Sequence, residues 1–282
     1  MKVCIVGAGL MGKGLAQIFA QSSEVDEVLW FARSTCRLDE AVCSVNSQWD
    51  KQIAKNKLTA EEKNLFASKF HLIDSFAKVE PSVGLIIEAI KECLPSKLEI
   101  FAEMSRFIDD KTMVASNSSS LSITEIASVF HTPGNVVGMH FFNPPAIMKL
   151  VEIVVGIKTS VATIERAKDI ARMLGKEPIE VKEAPGFIVN RMLIPMINEA
   201  IGLLAEGIAP AEDIDKAMMM GANHPIGPLA LADLIGNDVV LAIMDTLRTE
   251  TGDPKYRPHP LLRKMVRANL LGRKVKSGFF SY

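Results

Sequence analysis

Two apolar segments, Val136–Phe142 and Leu150–Val155, are joined by a stretch that opens with Asn143-Pro144-Pro145, and each carries one residue capable of proton chemistry, His140 and Glu152. If the return between them centres on Ala146, the two side chains fall opposite each other on one face of an antiparallel pair. A carboxylate beside an imidazole fixes the ring tautomer and steadies its protonated form, which suits general acid–base work. A histidine alone in an apolar run is more often a core residue. The matching glutamate, and the fold described next, reverse that expectation.

A second constellation is Gly7-Ala8-Gly9-Leu10-Met11-Gly12, which follows the apolar run Lys2–Val6 and opens a helical pattern. Gly7 permits a tight turn, Gly9 lets a pyrophosphate approach the backbone, and Gly12 allows close helix–strand packing. The spacing points to dinucleotide binding over a merely structural glycine turn. An NAD site usually places Asp or Glu about 20 residues beyond the glycines, on the ribose 2′-hydroxyl. Here the strand ends Phe31-Ala32-Arg33-Ser34-Thr35-Cys36-Arg37, with no acid before Asp39. Arg33, Ser34 and Arg37 suit a 2′-phosphate, and Arg33 could also stack on the adenine. The expectation is NADP(H), with NAD(H) and a merely basic loop as the alternatives.

Two polar patches would complete such a site. Ser116-Asn117-Ser118-Ser119-Ser120 follows an apolar strand, and Ser122 with Glu125 reads as a capping box for the next helix. Some of these hydroxyls should face a ligand, while others only cap and turn. Asn190 stands early in a later helix, beside Arg191, either satisfying buried backbone or reaching a ligand. Lys51 and Lys55, four residues apart on one helical face, and nearby Lys57 are solvated surface or contacts for a phosphate-rich ligand.

The elements that must hold these residues follow from periodicity. Strands are expected at Val3–Val6, Val28–Phe31, Val83–Glu88, Thr112–Ala115, Val136–Phe142, Leu150–Val155 and Ile179–Val181. Helices are expected at Met11–Gln21, Cys36–Lys57, Glu61–Lys69, Ser96–Phe107, Ser122–Phe130 and Val161–Leu174. Alternation of this kind predicts an α/β domain of Rossmann type over residues 1–182, with residues 36–69 forming a projecting helical hairpin. Residues 183–282 read as all-helical, with Pro185 suited to a first helical position. Helices are expected there at Phe187–Glu206, capped by Gly207, and at Ala211–Met220, Leu229–Thr249 and Pro260–Leu270.

Composition narrows the class. The chain has 282 residues, 32 Lys+Arg against 33 Asp+Glu, and 48% apolar residues, which argues against disorder and against bulk electrostatic binding of nucleic acid. The basic stretch Gly252–Tyr282 is interleaved with apolar residues and reads as a packed helix with a basic outer face. Cys4, Cys36, Cys43 and Cys93 have no metal-ligand spacing, so no metal is expected and a reducing cytoplasm is the simplest setting. No stretch is apolar enough for a membrane span, and with the first strand starting at Lys2 or Val3 the expectation is a protein that acts where it is made or one numbered after processing.

Taken in order, the glycine loop, Ser116–Ser120, Gly138-Met139-His140-Phe141-Phe142-Asn143-Pro144, Leu150-Val151-Glu152 and Pro185-Gly186-Phe187-Ile188-Val189-Asn190-Arg191 resemble the 3-hydroxyacyl-CoA dehydrogenases, most nearly their bacterial 3-hydroxybutyryl-CoA branch. The likeness runs through Asn223-His224-Pro225-Ile226-Gly227-Pro228 to Gly278-Phe279. It implies reversible hydride transfer between C3 of an acyl-CoA and a nicotinamide, with His140 as acid/base and Glu152 orienting it. It further implies Ser119 and Asn190 on the reacting oxygen or thioester, and Glu92, Lys97, Asn117 and Asn143 on the cofactor side. Lys51 and Lys55 would meet the CoA phosphates, and the helical domain would dimerise. Two departures stand out: the absent acid after the second strand, and Lys276-Ser277-Gly278-Phe279-Phe280 where the family often has Gly-x-Gly-Phe-Tyr. Two other readings remain: a dehydrogenase of a small hydroxy or sugar acid on the same fold, and a non-catalytic dinucleotide-binding redox sensor.

Overall fold

The structure is a computed structural model that describes residues 1–282. The chain divides into two compact units, Met1–Glu183 and Ala184–Tyr282. In the first, β1 (Lys2–Val6), β2 (Glu27–Phe31), β3 (Phe70–Ile73), β4 (Val83–Glu88), β5 (Met113–Ser116), β6 (Val136–Phe141), β7 (Leu150–Val155) and β8 (Glu177–Lys182) form one sheet. Its order is β3-β2-β1-β4-β5-β6-β7-β8. All neighbours are parallel except the hairpin β6–β7. The connecting helices are α1 (Leu10–Gln21), α2 (Thr35–Ile53), α3 (Ala60–Ser68), α4 (Leu94–Met104), α5 (Ile123–Ala127) and α6 (Val161–Met173). Apolar strands covered by helices bury Val3, Ile5, Leu15, Phe19, Trp30 and Ile87 in one core.

The sheet order reverses direction around β1, which lies between β2 and β4, and such a switch point opens a crevice at the strands' carboxyl ends. One row of paired residues runs along that end: Phe31, Val6, Glu88, Ser116 and Gly138, on β2, β1, β4, β5 and β6. The glycine turn, Glu88, the serine loop and His140 all lie on or just past that row.

The sequence missed β3, a four-residue edge strand whose His71 and Leu72 are exposed and so carry no buried alternation. The aromatic Phe70 pins it, stacking on Trp49 of α2 at 5.7 Å. The helix expected over Cys36–Lys57 stops at Ile53, and Asn56 at φ +53° turns the chain toward α3. Lys51 therefore lies in the last turn of α2 while Lys55 and Lys57 lie in the turn beyond it, all exposed, so Lys51 and Lys55 do not share one helix.

The second unit is helical: α7 (Val189–Ala205), α8 (Ala211–Gly221), α9 (Pro228–Ile235), α10 (Asn237–Thr251) and α11 (Pro260–Arg267). Ile194, Ile197 and Ile201 of α7 pack against Leu229, Val240, Met244, Leu247 and Leu262. Two expectations change here. Leu229–Thr249 is not one helix but two, because Gly236 at φ +104° breaks it. Asn237 then ties the start of α10 to Asp233 at 3.0 Å and to the Leu270 carbonyl at 2.9 Å. Pro185 does not open α7, which starts at Val189 after Gly186 at φ +72° and Phe187 at φ +51°. No helix is long and apolar enough to cross a membrane.

Candidate active site

His140 and Glu152 are paired residues of the β6–β7 hairpin, and Nδ1 of the imidazole lies 2.7 Å from Oε2 of the carboxylate. The register is the one the alternation predicts. Glu152 is 1% exposed and His140 6%, so the pair is removed from bulk water. Against a carboxylate, which only accepts, Nδ1 is the ring nitrogen that donates. Phe142 packs against the imidazole, with ring centroids 4.5 Å apart.

His140 stands two residues beyond Gly138 on the same face of β6, and Gly138 pairs with Ser116. The serine loop thus leaves β5 beside the strand carrying the histidine. Asn117 fastens the two together: its Oδ1 accepts from the Phe141 N–H at 2.9 Å. Ser118 and Ser119 hydroxyls donate to Glu92 Oε1 at 2.6 and 3.2 Å, and the Ser119 and Ser120 amides donate to the same oxygen at 2.8 and 3.1 Å. Glu92 is in turn 3.3 Å from Lys97. Burial pushes the Glu92 carboxyl upward, but the Lys97 ammonium and the Ser118 and Ser119 donors outweigh it and hold it below its ordinary value.

Lys97 itself is 1% exposed, its ammonium 2.6 and 2.8 Å from the two oxygens of fully buried Glu88. Ser116 adds a hydrogen bond to Glu88 Oε2 at 2.6 Å, and the Ile90 amide donates to Oε1 at 2.7 Å. Lys97 therefore anchors Glu92 from beneath. Glu88 has no place in the sequence reading, although a carboxylate closing the apolar strand Val-Gly-Leu-Ile-Ile-Glu is a visible signal; Ser116 and Ser118 belong to the serine patch read there.

Ser122 caps α5 by accepting from the Glu125 amide at 3.0 Å, but Glu183, not Glu125, completes the site. Glu183 accepts from the hydroxyls of Ser122 and Thr124 and from the Thr124 amide at 2.8 Å. The reciprocal capping box is thus replaced by a carboxylate from the far end of the unit.

The glycine turn lies where β1 enters α1. Gly7 has φ +123°, and a Cβ there would meet the Ala89 carbonyl oxygen at 2.6 Å; one on Gly12 would meet the Gly7 oxygen at 2.1 Å. A Cβ on Gly9 would meet nothing within 4 Å, so this backbone faces open space. Trp30 steadies the turn from below, its indole N–H donating to the Gly7 carbonyl at 2.8 Å. No side chain caps α1, whose first amides are available to an anion. The turn forms one wall of a cavity of about 960 Å³ that also includes Leu10, Met11, Ala32, Arg33, Ser34 and Arg37. A glycine cradle, an uncapped helix start and this cavity together fit a dinucleotide.

Of the residues expected to read the ribose, Ser34 caps α2, its hydroxyl accepting from the Arg37 amide at 3.5 Å. Arg33 is engaged by an acid the sequence did not suggest: its guanidinium is 2.6 Å from Glu99 and 3.6 Å from Glu103 on α4. Asn143 is exposed in the β6–β7 loop, and Asn190 is 9% exposed in the first turn of α7.

A switch-point crevice with a glycine cradle and a buried His–Glu pair defines a dinucleotide-dependent enzyme. Residues 2–184 match the family described as 3-hydroxyacyl-CoA dehydrogenase, NAD binding domain, and residues 186–282 match its C-terminal domain. The chain belongs to the 3-hydroxyacyl-CoA dehydrogenase family, and its first unit is one that binds a nicotinamide cofactor. It is 46% identical over 282 residues to 3-hydroxybutyryl-CoA dehydrogenase of Clostridioides difficile, covering all of this chain and 99% of that protein. It is 38% identical over 291 residues to the human mitochondrial hydroxyacyl-coenzyme A dehydrogenase, covering 99% of this chain and 90% of that one. The crystal structure of (S)-3-hydroxybutyryl-CoA dehydrogenase from Ralstonia eutropha superposes with a TM-score of 0.94 at 43% identity, covering 100% of this chain and 98% of that one.

Proposed function

We propose that the chain interconverts (S)-3-hydroxybutyryl-CoA and acetoacetyl-CoA, a 3-hydroxyacyl-CoA and its 3-keto form. The observation that carries this reading is the buried His140–Glu152 pair at 2.7 Å, in a unit that also holds the dinucleotide cradle. When bound, the nicotinamide takes or gives the hydride at C3. In oxidation His140 Nε2 removes the hydroxyl proton; in reduction it returns one to the carbonyl oxygen. Glu152 fixes the tautomer and stabilises the imidazolium as it forms. Ser119 and Asn190 are assigned to the reacting oxygen or the neighbouring thioester, which aligns C3 for transfer. Glu92, Lys97, Asn117 and Asn143 support the cofactor side, and exposed Lys51 and Lys55 meet the CoA phosphates.

The preferred cofactor in this reading is NADP(H). No carboxylate closes β2, and four cations, Lys13, Arg33, Arg37 and Lys91, line the cavity against two acids, Glu40 and Glu99. The Arg33–Glu99 pair is more than half exposed on both sides, and such pairs contribute only about 0–1 kcal/mol, so a 2′-phosphate can compete for the guanidinium. The helical unit is assigned the homodimer contact, with exposed Met219, Met220 and Ile208 among its apolar surface, and the enzyme is assigned to the cytoplasm.

The test is oxidation of NADPH and of NADH with acetoacetyl-CoA. Turnover with kcat/KM favouring NADPH is expected. No turnover with either cofactor refutes the reaction, and a preference for NADH refutes only the cofactor assignment.

A further inference from the structure

Lys176, between α6 and β8, is 9% exposed, and its ammonium meets no carboxylate. Its Nζ donates instead to two backbone carbonyls, Pro145 at 2.5 Å and Met148 at 3.0 Å. Burying an ammonium without a counter-charge is costly, and here burial pushes the Lys176 pKa below its ordinary value. The retained charge has a definite object. Pro145 and Met148 belong to the loop between β6 and β7, whose two strands carry His140 and Glu152 and whose first residue beyond Phe142 is Asn143.

That loop is held from two further sides. Asn117 takes the Phe141 amide at its entry. Buried Pro145 packs on α1 so closely that a Cβ on Gly14 would lie 2.7 Å from its ring. Within the loop, the Ile147 and Met148 amides both donate to the Pro144 carbonyl at 3.0 Å. The carbonyls of Pro145 and Met148 are left to Lys176. Apart from the Glu177 amide, which donates to the Lys149 carbonyl at 2.8 Å, the ammonium is what ties this loop to the chain between α6 and β8, while Pro145 rests on α1, the helix that opens on the dinucleotide cavity.

We propose that Lys176 is a positioning residue for hydride transfer: by clamping the Pro145 and Met148 carbonyls it sets the β6–β7 loop, and with it Asn143 and His140, relative to the cofactor helix. It touches neither substrate nor cofactor. This inference rests on the dehydrogenase reading above. Misplacement of reacting groups by about 1 Å can cost on the order of a hundredfold in rate, which scales the effect.

Lys176→Met and Lys176→Gln test it, each read against the wild-type enzyme. Hydrogen exchange without ligands should show the Ile147 and Met148 amides exchanging at least about tenfold faster in both variants. With acetoacetyl-CoA, kcat should fall by roughly 10–100-fold, while KM and the NADH and NADPH dissociation constants, measured by fluorescence titration, stay within about threefold. Lys176→Arg, which keeps two donors, should recover part of kcat. Three results overturn the proposal: unchanged kcat with a lower Tm, unchanged loop exchange, or cofactor affinity lost in step with kcat. A wild-type enzyme inactive on acetoacetyl-CoA refutes the reaction and this proposal together. An active wild type with an equally active Lys176→Met and Lys176→Gln refutes the clamp alone.

Discussion

Glu152→Gln is the sharpest test of the acid–base pair, because it removes one charge and almost no volume. Glu152 is 1% exposed and 2.7 Å from the imidazole, so water does not screen the interaction in the way it would at the surface. At an effective dielectric of about 20, two unit charges at about 4 Å interact by roughly 4 kcal/mol. That figure bounds what the carboxylate supplies to the imidazolium formed when His140 takes the substrate proton. A charge-assisted hydrogen bond contributes about 1.5–3 kcal/mol against about 1 for a neutral one, which sets the lower bound near 1–2 kcal/mol. At 1.36 kcal/mol per tenfold, kcat should fall by roughly 10–1000-fold. The larger values apply if the glutamine amide turns its NH2 toward Nδ1 and forces the other tautomer. Cofactor affinity, set by the glycine cradle, should not change. Steady-state kinetics in the reductive direction, with fluorescence titration of NADPH and NADH, separate the two quantities. A kcat within threefold of wild type, in a variant with normal cofactor binding, would refute the assignment of Glu152 as the partner that makes His140 a base.

Other consequences are equally direct. Arg33→Ala should weaken NADPH by about 10–100-fold, the value of a lost charge-assisted contact, while NADH moves by less than threefold; fluorescence titration reads both. Equal losses for the two cofactors would sink the 2′-phosphate assignment. Gly278→Ala places a Cβ 1.9 Å from Asp233 Oδ1, so overpacking should cost about 1–3 kcal/mol and lower Tm by several degrees in thermal denaturation. Glu92 binds fewer protons in the folded state than its ordinary value of 4.5 implies, so its contribution is present above that pH and lost as pH falls through the window below it. Wild type should therefore lose stability below about pH 4.5 more steeply than Glu92→Gln, as denaturant titrations at several pH values would show. Parallel acid profiles for the two proteins would contradict that sign.

Much of this was legible because periodicity and spacing act locally. The hairpin register follows from alternation along Val136–Phe141 and Leu150–Val155, so a turn centred on Ala146 is enough to bring His140 to Glu152. The glycine turn likewise needs only its own residues and the next helix. What escaped depends on distant chain. The acid on Arg33 comes from α4, 66 residues away, and the carboxylate on α5 comes from Glu183, 61 residues beyond Ser122. Lys97 meets Glu88 and Glu92, two partners that no local pattern around it names. The break at Gly236 was hidden by continuous helical periodicity, and only a backbone at φ +104° exposes it. The C-terminal Gly278 was visible as part of the family resemblance, but its reason is Asp233, which accepts from the Phe279 and Phe280 amides at 3.0 and 2.9 Å and leaves no room for a side chain.

The buried polar groups sort the two units by purpose. In the helical unit, Asp215 and Asp233 spend their oxygens largely on backbone amides, those of Leu229 and Ala230 and those of Phe279 and Phe280, so each closes a joint in the chain. In the sheet unit, buried charge meets charge in Lys97 with Glu88, and the buried Glu152 carboxylate meets the His140 imidazole. Replacing an ion pair of this kind by apolar side chains is often neutral or stabilising, so stability alone does not explain its presence. These pairs occur on or just past the row from Phe31 to Gly138, where strands end and loops begin. Backbone there needs fixing and cannot be fixed by more sheet. Lys176 fits the same logic one strand further on, holding the carbonyls of a loop that neither β6 nor β7 can bond. A net charge of −1 conceals this arrangement, because the Lys97–Glu88 pair and the Lys176 ammonium lie inside the molecule rather than on its surface.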